Sequence, residues 1–174
     1  NRILTICRPG VVFGPGENGN VTRLIKAVKS RKFLYMGNKN LKKAGIYVKE
    51  LVSILNWVNR KQKKKELNNF ELLNGAFFPC PSLVNYVDAI LFSLNEKYYF
   101  ISIPQKLIKF FIFLTSYITK NISPKSNYNY VRLNKLFRSN FVVSQFLIKK
   151  NYIFKYDMKS SMTDWKLINP IDWN

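Results

Sequence analysis

Arg8-Pro9-Gly10-Val11-Val12-Phe13-Gly14-Pro15-Gly16-Glu17-Asn18-Gly19-Asn20-Val21-Thr22-Arg23-Leu24 reads as a strand end, a glycine-rich loop and a helix start in direct succession. Upstream, Ile3-Leu4-Thr5-Ile6-Cys7 extends the apolar run, so a strand is expected from Arg2 to Val12, interrupted at Arg8-Pro9-Gly10. Downstream, Val21, Leu24, Ile25 and Val28 recur at helical spacing, which predicts a helix over Val21 to Ser30 with Asn20 as its N-cap. A loop feeding a helix N-terminus suits an anion, because free N–H groups and the helix dipole both point at it. Gly14, Gly16 and Gly19 also satisfy G-x-G-x-x-G. A dinucleotide fingerprint of that form needs an acidic residue about 20 positions on to hold the ribose. Asn38, Lys39 and Asn40 stand there instead, and Pro15 sits inside the turn. The loop is therefore read as a phosphate-friendly turn and not as the fingerprint.

Short strands and helices alternate along the rest of the chain, which argues for an α/β fold. Strands are expected at Phe33 to Met36, Gly45 to Val48, Phe70 to Leu73 and Tyr99 to Ile103. Helices are expected at Lys49 to Val58, after an N-cap at Ser82, at Lys106 to Thr119, near Ser144 to Lys150 and around Ser160 to Leu167. The basic run Arg60 to Lys65 is assigned to a surface loop, and Ser123 to Asn129 to another. Tyr35-Met36-Gly37-Asn38-Lys39 has the Y-x-x-x-K spacing of a catalytic pair, which works only from one helix face. Gly37 and its Asn-rich surroundings oppose a helix, so Tyr35 and Lys39 are placed on a strand and the turn after it.

Lys and Arg number 29 against 9 Asp and Glu, a formal charge of +20. Such an excess raises nucleic acid or an anionic surface as a partner. The lysines are scattered, however, and no RNA-binding motif is present, so no nucleic acid is expected. The same excess suits an anionic substrate such as a nucleotide diphosphate. Two cysteines without C-x-x-C spacing, and no histidine, exclude a zinc site and a disulfide scaffold. Leu107 to Leu114 is the most membrane-like stretch, but Lys109 interrupts it and it is too short to span a bilayer. The expectation is a cytoplasmic protein with no stable membrane span. A chain opening on Asn1 inside an apolar run is further expected to be a fragment, or a gene product that has lost its front.

The opening stretch Arg8 to Leu24 resembles the extended short-chain dehydrogenases of the NAD-dependent epimerase/dehydratase family, whose R-P-x-x-V-Y-G-P-G strand-loop precedes a G-N-x-x-x-L helix. Gly45-Ile46-Tyr47-Val48-Lys49-Glu50-Leu51-Val52 resembles that family's Y-V-x-D-L-V, with Glu50 for the usual Asp. Leu73-Asn74 followed by Pro81-Ser82-Leu83 is similar to its strand-to-helix step. Gln145 to Trp165 carries its closing cadence, with Asn151 in place of a glycine.

The resemblance implies the C-terminal part of a Rossmann-type enzyme with a small α/β substrate-binding domain. Residues 1–32 would end the Rossmann core, and residues 33–174 would form the substrate domain with return segments to the core. The cofactor would be NAD, bound mainly by an N-terminal half that also supplies the catalytic Ser/Thr, Tyr and Lys; no catalytic residue and no metal ligand is assigned here. Pro9, Gly10 and Val11 would line the nicotinamide end of the cleft. Asn20 and Arg23, at the helix start, and Lys43, where relatives carry an arginine, would hold the diphosphate of a nucleotide-linked sugar. Val11 stands where many relatives place a sugar-contacting Asn, and a lysine at 43 loses the bidentate fork of arginine. Asn20 read as a plain helix cap, Lys43 as a solvated lysine, Arg8 as a strand-end ion-pair residue and Asn74 as a turn residue stay open alternatives. The intact enzyme would be a UDP-sugar 4-epimerase-like protein, with room for a homodimer, and this part would be inactive alone. A nucleotide-sugar 4-ketoreductase, or a basic RNA- or anionic-surface-binding module, are the alternatives.

Overall fold

The structure is a computed structural model that describes residues 2–110 and 137–174. Among the described residues, six strands pair two by two, and each of these pairs is parallel. β1 (Leu4–Pro9) pairs with β5 (Phe70–Gly75), β2 (Val11–Phe13) with β4 (Gly45–Tyr47), and β3 (Tyr35–Met36) with β6 (Ser102–Ile103). Parallel pairing needs crossovers, and helices supply them: α1 (Asn20–Lys29), α2 (Val48–Lys63) and α3 (Leu83–Leu94). α4 (Gln145–Lys149), α5 (Met158–Ile168) and a 3-10 turn (Pro170–Trp173) close the chain. α3 packs on α5 and α1, and the 3-10 turn packs on α1 and α5. The expected α/β class holds.

Phe13 sits at the centre of the core. Its ring lies 5.8 Å from Tyr47, 5.9 Å from Tyr86 and 6.2 Å from Trp165, so β2, β4, α3 and α5 meet on one aromatic cluster. Ile25, Ile46, Ile54, Leu73, Ile90 and Met162 fill the space around it. The β1–β5 pair is asymmetric. Thr5, Cys7, Glu71 and Leu73 turn inward, while the register sets exposed Leu4 beside Phe70 and exposed Ile6 beside Leu72 on the outer face. Parallel sheets are ordinarily covered on both faces; among the described residues, nothing covers this one.

Several boundaries differ from expectation. α2 runs on through Arg60, Lys61 and Lys63 instead of giving way to a loop. These are good helix formers, their charges suit a helix C-terminus, and Gln62 turns inward to donate to the carbonyls of Asn68 and Asn69. Ser82 does cap α3, in a capping box with Asn85. α5 starts earlier than expected because Asp157, with Ser160, forms its own capping box. β6 keeps only the end of the expected Tyr99–Ile103 strand. Residues 105–110 are helical; the rest of the helix expected to Thr119 and the loop at Ser123 to Asn129 lie outside the described residues. Asn151 adopts φ +50, the left-handed conformation that glycine and, less readily, asparagine adopt.

Candidate functional site

The glycine loop is where the structure departs most from the sequence reading. Gly19, not Asn20, is the N-cap of α1, and no side chain of that residue caps the helix. Glu17 does the capping. Its carboxylate accepts from the N–H of Gly19 at 2.8 Å, from the N–H of Thr22 at 3.0 Å and from the Thr22 hydroxyl at 2.7 Å. Burial pushes the Glu17 carboxyl up, but these donors together outweigh it and hold its pKa below the ordinary value. A second carboxylate arrives from the far end of the chain, where Asp172 Oδ2 accepts from the Gly16 N–H at 2.7 Å and from Trp165 Nε1 at 2.8 Å. The N–H groups of Gly16, Gly19 and Thr22, donors that a phosphate could use, are thus taken by two acids of the chain itself. Gly14 and Gly16 have positive φ, as the turn requires.

The other predicted residues gather at the opposite end of the β2–β4 pair. β1 and β5 finish together, Pro9 level with Gly75, and the Gly10 N–H donates to the Gly75 carbonyl at 2.9 Å. Open α/β sheets bind ligands at these carboxyl ends. Gly10 lies so close to Ala44 that a Cβ would stand 3.0 Å from its carbonyl carbon and oxygen. The Val11 N–H donates to Ala44 O at 3.0 Å. Pro9, Gly10 and Val11 are therefore brought directly against Lys43-Ala44-Gly45. Lys43 is half-buried, its pKa lowered by that burial, and its ammonium donates to Arg138 O at 2.8 Å. The Lys43 N–H reaches Pro81 O at 2.9 Å, and the Ala44 N–H reaches Asn140 O at 2.7 Å. Tyr86 is buried beneath, its hydroxyl 3.3 Å from Lys43 O, and burial raises its pKa well above the ordinary tyrosine value.

Asn20 and Arg23 pair with each other at the start of α1. α1 leaves from the far end of β2, and Arg23 Nη2 donates to Asn20 Oδ1 at 2.8 Å while its Nε donates to Gly19 O. Arg8 is exposed at the end of β1, and Asn74 Nδ2 donates to Val143 O at 3.0 Å. Tyr35 lies buried on β3 and Lys39 lies exposed in the turn beyond it, so the Y-x-x-x-K spacing does not share a helix face. Burial, with Asp88 nearby, pushes the Tyr35 phenol up to about 12.

Arg138 to Asn140 were not foreseen. They reach Lys43 across 95 positions of chain, and no local motif announces a contact of that range. Two shallow hollows of about 320 and 330 Å³ lie elsewhere, one bordered by Asn56, Arg60 and Lys155, the other by Phe78, Leu147 and Tyr152. Neither touches a predicted site residue. Among the described residues, no cluster of three or more His, Cys, Asp or Glu could hold a metal, and no helix is long and apolar enough to cross a membrane.

No family model matches the chain. Over 96 residues, 55% of the chain, it is 31% identical to the N-acetyl-alpha-D-glucosaminyl-diphospho-ditrans,octacis-undecaprenol 4-epimerase of Escherichia coli O157:H7, and the match covers 28% of that protein. Solved structures extend the likeness over nearly the whole chain. UDP-N-acetylglucosamine 4-epimerase from Bacillus cereus superposes with a TM-score of 0.59 at 11% identity, over 95% of this chain and 46% of that one. A human epimerase family protein solved with NADPH gives 0.57 at 14% identity, over 94% and 48%. The dTDP-glucose 4,6-dehydratase of Bacillus anthracis, solved with NAD, gives 0.53 at 12% identity, over 97% and 46%. The chain thus spans about half the length of these solved neighbours and less than a third of the curated relative. It shares its α/β fold with the epimerases and dehydratases of the extended short-chain dehydrogenase family, as the resemblance in its opening motif implied.

Proposed function

We propose that this chain is the C-terminal, substrate-binding part of an NAD-dependent epimerase or dehydratase acting on a sugar carried by a diphosphate. Residues 1–32 would end the dinucleotide-binding core and residues 33–174 would hold the substrate, in the cytoplasm. The observation that carries this reading is the bare apolar face of the parallel β1–β5 pair, Leu4, Ile6, Phe70 and Leu72. Such a face is what a sheet presents when further layers of the same α/β unit belong against it. The neighbours have about twice this chain's length, which gives those layers a source.

The residues present do not fit the cofactor's pyrophosphate, because Glu17 and Asp172 fill the loop that would take it. Pro9, Gly10 and Val11, at the strand ends, fit only the task of lining one end of a cleft. The chemistry NAD supplies to such enzymes is transient removal of hydride from a sugar carbon. The chain's own contribution would be binding. Lys43, held by the Arg138 carbonyl beside the strand ends, would pair with the diphosphate and orient the sugar. The carrier on that diphosphate is a nucleotide, as in the Bacillus cereus epimerase, or a polyprenol, as in the Escherichia coli relative.

The test is an activity measurement on the chain joined to its dinucleotide-binding half. Incubation with NAD and a diphosphate-linked hexose or N-acetylhexosamine should give the C4 epimer or a 4-keto-6-deoxy product, resolved by chromatography. The isolated chain should neither bind NAD nor turn over any sugar. Recovery of unchanged sugars from the completed protein, across nucleotide and polyprenyl carriers, would reject the reading.

A further inference from the structure

The β3–β6 pair carries large apolar side chains on both faces. Its inner face carries Phe33, Tyr35 and Phe100, which meet edge-on with ring centroids 4.9 and 5.3 Å apart. The register sets Met36 level with Ile103, and the Tyr35 N–H donates to Ile101 O, so Leu34, Met36, Ile101 and Ile103 share the outer face. That face is open. Leu34 and Met36 are exposed, Ile101 is 70% exposed, and Tyr99 beside it is 96% exposed. The helical residues 105–110 add exposed Leu107 and Phe110. Exposed Lys97, Lys106 and Lys109 are interleaved with them, and no acidic residue falls between Lys97 and Phe110.

Apolar and aromatic side chains among lysines, with no helix among the described residues long enough to span, are the composition of a surface that lies in a lipid headgroup layer. Tyrosine has its polar tip at such a boundary and its ring below it. Charge decides the occupant. A second copy docked on this face would set Lys97, Lys106 and Lys109 near their own equivalents, whereas an anionic bilayer is complementary to them and to a chain of net charge +20. We propose that Tyr99 to Phe110, with Leu34 and Met36, form a docking face for an anionic lipid bilayer. The inference rests on the sugar-diphosphate reading above and bears on its carrier, since a chain seated on the bilayer would have a polyprenyl diphosphate within reach.

Vesicle sedimentation of the chain joined to its dinucleotide-binding half, which would cover the bare β1–β5 face, tests this without substrate, so its failure leaves the sugar-diphosphate reading standing, and a failed epimerase assay leaves it untouched. Vesicles with about one-third phosphatidylglycerol should bind the chain, and phosphatidylcholine alone should bind it about tenfold less. The triple change Lys97→Glu, Lys106→Glu and Lys109→Glu should weaken binding about tenfold or more, as should Met36→Ser with Ile101→Ser. The same charge change at Lys63, Lys64 and Lys65, around the end of α2, should leave binding within about threefold. Circular dichroism confirms that each variant folds; if the serine pair does not, the two lysine triples decide. Absence of binding to anionic vesicles, or equal loss from both triples, overturns the proposal. So does a dimer in solution that Ile101→Asp dissociates, which would give the face to a second copy.

Discussion

Glu17 and Glu50 show how a single carboxylate sets a backbone in this protein. Glu17 satisfies the first turn of α1, so Glu17→Ala should cost about 1–2 kcal/mol in urea denaturation, the range for losing a helix cap. Its folded pKa is lowered, so its contribution is present above the unfolded carboxylate pKa and is lost as pH falls through the lowered value. Wild type should therefore lose stability over that acid range faster than Glu17→Ala does. Glu50 is fully buried at the start of α2. It accepts from the Tyr152 hydroxyl at 2.7 Å and from the N–H groups of Lys155 and Tyr156 at 2.9 and 2.8 Å. Glu50→Ala would orphan all of these donors and should cost roughly 3 kcal/mol or more, with Glu50→Gln milder, both read from the denaturation midpoint. Neither role was legible in the sequence. Glu50 reads there only as a substituted Asp in a motif. Glu17 precedes its helix, whereas a capping box puts the acid inside the first turn, so the helix start pointed to Asn20 instead.

Elements were legible where a local rule decides them and less so where tertiary contacts do. Ser82 announced α3 because its capping box is built within four residues. The end of α2 was missed because Gln62 is drawn inward by carbonyls of a following segment, Asn68 and Asn69, which no window around Gln62 reveals. The 3-10 turn at Pro170–Trp173 was missed for the same reason, since its stability comes from Trp173 packing edge-on against Trp165 and from Asp172 reaching back to the glycine loop. That link makes a prediction at this scale. Asp172→Ala should remove acceptors from the Gly16 N–H and the Trp165 indole together, at a cost of about 2–3 kcal/mol. Hydrogen exchange should quicken at Gly16 while the amides of α3 keep their protection; equal quickening everywhere would mean that Asp172 supports the fold as a whole and not the loop.

For the whole molecule, the family resemblance was legible because its motifs follow one another along the chain, and the α/β fold with parallel pairs agrees with it. The grouping of the candidate site was not. The resemblance implied that Asn20 and Lys43 serve one diphosphate; in the structure α1 starts past the C-terminal end of β2, while Lys43 lies beside Pro9, Gly10 and Val11. Contacts to Arg138 and Asn140 then close the site from a distant stretch of chain. The account turns on Lys43 as the residue that meets the diphosphate. Calorimetric titration of UDP and of inorganic pyrophosphate into the chain completed by its dinucleotide-binding half tests it most directly, in wild type, Lys43→Ala, Lys43→Arg and Asn20→Ala. Lys43→Ala should lose about 1.5–3 kcal/mol of binding, roughly 10- to 150-fold, for both ligands, and Lys43→Arg should restore most of it. Because burial lowers the Lys43 pKa, affinity should also fall with rising pH before an ordinary lysine would titrate. Unchanged affinity in Lys43→Ala, with loss only in Asn20→Ala, would contradict the account and move the diphosphate to the start of α1.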